Sequence, residues 1–429
     1  MKKLAILGGT PLIQDTIKPF ISLNDDDIAA ATRVIQSGCL SGYLGSPSDK
    51  FYGGIEVKNL EKTWCERFQV EHSVSVNSAT SGLIAAMGAI GISPGDEVIV
   101  PPYTMSATVI APLFYGAIPV FVDIEDEHFC IDPVLVEQAI TAKTKAIMAV
   151  NLFGHPAELA VLRKIADKHG IYLIEDNAQA ILAEENNKFS GTIGHIGVFS
   201  LNVHKHLNVG EGGIVVTNDD DLAKKLQLIR NHGENASEWI GVQDLTNIIG
   251  YNFRLSEIHA AIAQVQLSKL DDLTQRVMEM GEGLSEGIKD LPGIKTPSIR
   301  ENCSHVYFMW SCRFDRDVMG ISRDLFCKAL LAEGLPIAQG YVKPLYRLPT
   351  FQKRMAIGKN GFPFSLSDRT YKDNQCDVVE RLHFKELFQF QPVSWDVNKH
   401  VLNNIINTFY KVYEALPELK KSTELEYEH

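Results

Sequence analysis

The chain has 429 residues, 45% of them apolar and 22% charged, with a formal net charge of −12. That length suffices for one large domain plus a smaller one, each with a buried core. The acidic balance argues against a general nucleic-acid binder, which carries a broad basic face, yet it permits an anionic small-molecule ligand held by a local basic cluster.

The opening MKKLAILGGTPL starts like a secretion signal, but its apolar run stops at Gly8, so secretion is not expected. The first 70 residues predict little regular structure beyond a helix near 25–38 (DDDIAAATRVIQSG). From Val74 onward, short apolar runs alternate with amphipathic segments. Strands are predicted at 72–76, 97–101, 119–124, 145–151, 171–176, 197–201 and 213–218. Most are continuous β-branched runs, as strands covered on both faces require. SGLIAAMGAIG and AELAVLRKIADKHG read as helices between them, the second closing on a glycine cap. This rhythm predicts an α/β fold with a mainly parallel seven-stranded sheet.

Beyond Ser256 the pattern changes. Residues 256–288 read as one long helix with a serine cap and Glu257 in its first turn. A strand at 306–314, a helix at 322–334 and a helix at 397–416 predict a smaller C-terminal α+β domain. The tail after Leu416 is charged and predicted to fray. The expected division is 1–275 for the large domain, including the irregular segment 1–70, and 276–429 for the small one. Seven cysteines without a CxxC pair predict neither a disulfide framework nor a metal site, and fit a reduced, cytoplasmic setting. No stretch reaches the apolar length of a membrane span.

Three features carry chemistry. Asp176 ends the strand IYLIED, and open α/β sheets bind ligands at such ends. Lys205 follows the next strand, in NVHKHLNVGEGG. NSATSG (77–82) turns a strand into a helix, where free amides and hydroxyls suit a phosphate. Alone, each is ordinary: a strand-end acid is commonly a cap, a loop lysine commonly a solvated charge, and NSATSG a plain helix start. Together they are what pyridoxal 5′-phosphate (PLP) requires, namely a lysine for the imine, a carboxylate for the pyridine nitrogen and donors for the phosphate.

With NSATSGL, GDEVIVPPYT, PVFVDIE, TKAIMAVNLFGHP, IEDNAQA, FSLNVHKHLNVGEGG and GYNFRLSEIHAAIAQVQL in that order, the sequence resembles the DegT/DnrJ/EryC1/StrS family of PLP-dependent sugar aminotransferases over nearly its whole length. The resemblance implies PLP-dependent transferase fold type I and a homodimer. It places the cofactor lysine at Lys205 and the pyridine-nitrogen partner at Asp176, both as catalytic residues. Gln179 falls on the residue that approaches the ring, Ala79 and Thr80 on the phosphate turn, and Ser200 on a further phosphate ligand. Asn252, in GYNFR, falls on a residue that reaches the phosphate from the neighbouring subunit, so the active sites would be shared.

Some positions depart from the family. Met105 stands where an aromatic residue often stacks on the ring, which leaves Tyr103 as an alternative ring neighbour, and Tyr346 replaces a histidine in KPLYRL. The loop 41–54 is longer than usual and lies where substrate contacts often fall. His204, His206, Glu211, His232 and Arg254 have either structural or site roles on sequence grounds. The implied reaction moves an amino group from an amino acid, glutamate, to a keto-sugar linked to a nucleotide diphosphate. The alternatives are a cyclitol (inosose-type) ketone as acceptor, or a non-catalytic regulatory member. A dehydratase branch carries histidine in place of the lysine, and Lys205 argues against it. Neither nucleic acid nor membrane is an expected partner.

Overall fold

The computed structural model describes residues 3–426. Seven strands form the main sheet: β1 (His72–Val76), β2 (Glu97–Val100), β3 (Ile118–Phe121), β4 (Thr144–Val150), β5 (Tyr172–Asp176), β6 (Ile196–Ser200) and β7 (Gly213–Thr217). Their spatial order is β1-β7-β6-β5-β4-β2-β3. Only β7 runs antiparallel to its neighbours, β1 and β6. The fold is therefore α/β with a mainly parallel sheet, and all seven predicted strands are present.

The Val and Ile side chains of these strands are buried, because helices cover both faces. Helix Ala79–Ala89 is buried at every position from Ser81 to Ala89, so it belongs to the core and not to an amphipathic surface. Gly82 permits this close packing, since a Cβ there would lie 2.9 Å from side-chain atoms of Val198 and Val215.

The second sheet is small and wholly antiparallel: Ile294–Lys295, Trp310–Phe314, Leu387–Phe390 and Ala338–Gln339, in that spatial order. Its core joins Trp310, Phe326, Phe388 and Phe409 with helices Leu270–Ile288 and Lys399–Glu414. Each core takes residues from both sides of position 275. Leu4 and Ile17 pack in the small core, while Leu345, Tyr346, Phe351 and Tyr371 pack in the large one. No helix among the described residues is long and apolar enough to cross a membrane.

Four local expectations are corrected. The first 70 residues also hold helix Ile55–Phe68, which buries Val57, Leu60, Trp64 and Phe68 as a single stripe. The long helix is two, Glu257–Ser268 and Leu270–Ile288. At the break, Ser268 Oγ donates back to the Val265 carbonyl (2.7 Å), a bond that bends helices, and Lys269 Nζ is drawn to Asp27 (2.7 Å). The tail does not fray at Leu416: a helix spans Leu416–Glu426, with Leu419 buried in the small core. Finally, the strand predicted at 306–314 begins only at Trp310, because Tyr307 adopts a left-handed backbone (φ 49°) that a strand cannot include.

Candidate active site

Strands β5 and β6 lie side by side in parallel, with Asp176 in register with Val198, so Asp176 and Ser200 emerge at the same edge of the sheet. Asp176 is buried. Its Oδ2 accepts from the Thr108 hydroxyl (2.8 Å) and its Oδ1 from the Ala178 amide (3.2 Å). Burial raises its pKa above the usual carboxylate value, and these hydrogen bonds and the nearby Lys205 charge act against that rise.

Lys205 lies five residues past Ser200, in a loop closed by bonds from the Val203 amide to Gly210 O (3.0 Å) and from the Val209 amide to Leu201 O (3.0 Å). Its amine sits over the ring of Phe308, 4.2 Å from the centroid. Burial lowers its pKa from 10.5 to about 8, against the raising influence of Asp176. A neutral amine is thus accessible near physiological pH, which general-base chemistry needs.

Gln179 is buried, with both ends of its carboxamide bonded. Oε1 accepts from the Phe153 amide (2.8 Å) and Nε2 donates to the Tyr341 hydroxyl (3.0 Å). Ala79 and Thr80 open helix Ala79–Ala89 behind the cap Ser78, whose hydroxyl accepts from Ser81 N. The first intrahelical bond runs from Gly82 N to Ser78 O, so the amides of Ala79 and Thr80 precede the ladder. Gly213 links this turn to Ser200. It pairs with Ser200 across β6 and β7, and a Cβ on it would lie 2.7 Å from the Ala79 nitrogen. The structure therefore brings Asp176, Lys205, Gln179, Ser200, Ala79 and Thr80 to one end of the sheet.

The remaining candidates divide. Asn252 is exposed, and its backbone lies beside the same turn: Asn77 N donates to Phe253 O (2.8 Å). Met105 is 53% exposed, whereas Tyr103 is buried with its hydroxyl 3.2 Å from His383 Nδ1. His206 is buried, its Nε2 donates to the Val306 carbonyl (2.8 Å), and burial lowers its pKa to about 4. His204 and Glu211 are exposed. Arg254 donates to Asn231 Oδ1 (2.8 Å), and Asn231 in turn donates to Leu44 O (3.0 Å) and Phe51 O (2.8 Å), fixing the 41–54 loop. His232 takes a left-handed turn (φ 50°) against Gly45 of that loop. Tyr346 donates to Glu380 (2.7 Å) within the large core.

Sequence reasoning missed Thr108, Phe308 and Tyr341. Thr108 left one trace, as the only polar residue of helix Ala107–Phe114. The other two left none, because their partners lie far away along the chain.

A buried carboxylate, a ring-covered amine of lowered pKa and a helix-start turn beside a strand-end serine fit the ring nitrogen, aldehyde and phosphate of PLP. Comparison with known proteins agrees. The model of the DegT/DnrJ/EryC1/StrS aminotransferase family matches residues 45–373. A dTDP-3-amino-3,4,6-trideoxy-alpha-D-glucose transaminase of Streptomyces venezuelae is 34% identical over 324 residues, 75% of this chain and 79% of that protein. The crystal structure of S. venezuelae DesV in complex with a ketimine intermediate superposes with a TM-score of 0.76 at 30% identity, covering 91% of this chain and 95% of the other. DesI in the presence of its TDP-sugar product gives a TM-score of 0.79 at 25% identity, covering 99% and 98%. The chain belongs to the DegT/DnrJ/EryC1/StrS aminotransferase family and is a PLP-dependent transaminase of fold type I.

Proposed function

We propose that this transaminase carries the amino group of glutamate to the ketone of a sugar linked to a nucleotide diphosphate. The observation that carries the reading is the half-buried Lys205, its amine covered by the Phe308 ring and lowered to about pKa 8 in the electrostatic reach of the buried Asp176. The nucleotide-linked acceptor is supported by two relatives, the dTDP-sugar transaminase and DesI with its TDP-sugar product.

Bound PLP supplies an electron sink for the pair left when the donor Cα loses its proton. The roles of the chain's own residues follow. Lys205 Nζ, neutral above about pH 8, takes the proton from the donor Cα and returns it on the cofactor side. Asp176 holds a proton on the pyridine nitrogen, since a buried carboxylate stabilises a positive charge strongly where water cannot screen it. The Ala79 and Thr80 amides and the Ser200 hydroxyl hold the phosphate, and Gln179 and Met105 flank the ring. Asn252, exposed on its own subunit, reaches the phosphate of the neighbouring one in a homodimer.

The test is a screen of keto-sugar nucleotides and cyclitol ketones with glutamate as donor, following 2-oxoglutarate. The reading expects turnover with a nucleotide-linked keto-sugar and competition by the free nucleoside diphosphate. Turnover of a cyclitol ketone that a nucleoside diphosphate does not inhibit would replace it with the inosose-type reading.

A further inference from the structure

We infer that Tyr341 is a positioning residue of this site: its hydroxyl anchors the carboxamide of Gln179, whose orientation the Phe153 amide sets. The inference rests on the reading that Gln179 lies against the cofactor ring.

A glutamine side chain carries an acceptor at one end and donors at the other. Here the Phe153 amide must meet the oxygen, and the Tyr341 oxygen meets the NH2 group. A flip of the carboxamide would set two donors face to face at Phe153, so that amide selects the orientation, and the Tyr341 hydroxyl, able to donate or accept, holds the other end in place. Removing the Tyr341 hydroxyl leaves the carboxamide tethered at its Phe153 end alone.

Tyr341 is itself held firmly. It follows the edge strand Ala338–Gln339 of the small sheet, and the intervening Gly340 donates to Leu387 O (2.8 Å). Gly340 is left-handed (φ 62°), and a Cβ on it would lie 2.7 Å from His383 Nδ1, so only glycine makes this turn without strain. The Tyr341 ring meets Phe153 edge-on at 5.1 Å and Tyr103 edge-on at 5.9 Å.

The far end of the contact is equally specific. Phe153 occupies a left-handed backbone (φ 61°), an uncommon state for an aromatic residue, and Gln179 satisfies its amide there. The Phe153 carbonyl accepts from Met309 N (3.0 Å) and the Gly154 carbonyl from Val306 N (2.8 Å). These bonds seat the segment whose Phe308 ring covers the Lys205 amine. One hydroxyl from the small sheet thus stands at the head of a continuous set of contacts that ends on Lys205.

The experiment compares Tyr341→Phe, Gln179→Ala and the double variant with the wild-type chain, with and without added PLP. Two quantities are read: hydrogen exchange at the Phe153 amide without cofactor, and the PLP dissociation constant. Tyr341→Phe keeps the ring and loses the oxygen. The Phe153 amide should then exchange about five-fold faster or more, the scale of one hydrogen bond, while amides of Trp310–Phe314 keep their protection. PLP should bind several-fold more weakly. In the Gln179→Ala background, adding Tyr341→Phe should change neither quantity further, because its effect passes through Gln179. Unchanged Phe153 exchange in Tyr341→Phe, or a full independent loss in the double variant, overturns the inference. If Gln179→Ala binds PLP as tightly as wild type, the placement of Gln179 against the ring fails instead, and the exchange result still decides whether Tyr341 locks its carboxamide.

Discussion

The Lys205 amine rests 4.2 Å from the centre of the Phe308 ring, on a segment that the small domain lays against the end of the main sheet. The ring does two opposed things. It excludes water, which favours the neutral amine, and its π face attracts the charged form.

The two effects are separable. Phe308→Leu keeps an apolar cover and removes the π face, which is worth about 0.5–1 kcal/mol, so the Lys205 pKa should fall below 8 by roughly half a unit. Phe308→Ala admits water, and the pKa should rise toward 10.5. The pH dependence of Lys205 methylation in cofactor-free protein, followed by mass spectrometry, reads both. Shifts in the same direction would contradict this account of the amine's surroundings.

Asp176 acts on the same amine through its charge. Its carboxylate raises the Lys205 pKa, so Asp176→Asn should move the methylation midpoint below about 8. In the loaded enzyme the same change removes the partner of the ring proton. Preorganised charge of this kind is commonly worth ~3 kcal/mol, roughly a hundred-fold in rate. The loss should fall on kcat more than on the KM for glutamate. Turnover within a few-fold of wild type would remove Asp176 from the proposed role.

Much of this arrangement was legible in the sequence. The seven main strands stood out because burial on both faces makes them continuous apolar runs, and Asp176 and Lys205 stood out because the first ends one such run and the second follows the next. Helix Ile55–Phe68 was missed although its buried residues, Val57, Leu60, Trp64 and Phe68, recur at the helical spacing of three and four. The break at Lys269 joins a local bond from Ser268 to a distant one to Asp27, more than 200 positions away, and the distant partner leaves no trace in the local pattern. Tyr341 and Gln179 are 162 residues apart, so their bond exists only once both sheets have formed.

Shared active sites are tested by mixing subunits. Lys205→Ala and Asn252→Ala chains, each nearly inactive alone, are combined under conditions that exchange subunits. If Asn252 serves the neighbour, one site of a mixed dimer carries both defects and the other carries none, so activity recovers towards half of wild type per mixed dimer. If Asn252 serves its own subunit, every site keeps one defect. No recovery, with exchange verified, would refute the shared-site arrangement.

The central claim is that Lys205 is the residue that bonds the cofactor. Incubation with PLP followed by borohydride reduction, digestion and mass spectrometry reads it directly. The account predicts a pyridoxyl adduct on the peptide that contains Lys205, and none in Lys205→Ala. An adduct on any other lysine of the wild-type chain, with Lys205 unmodified, would contradict it.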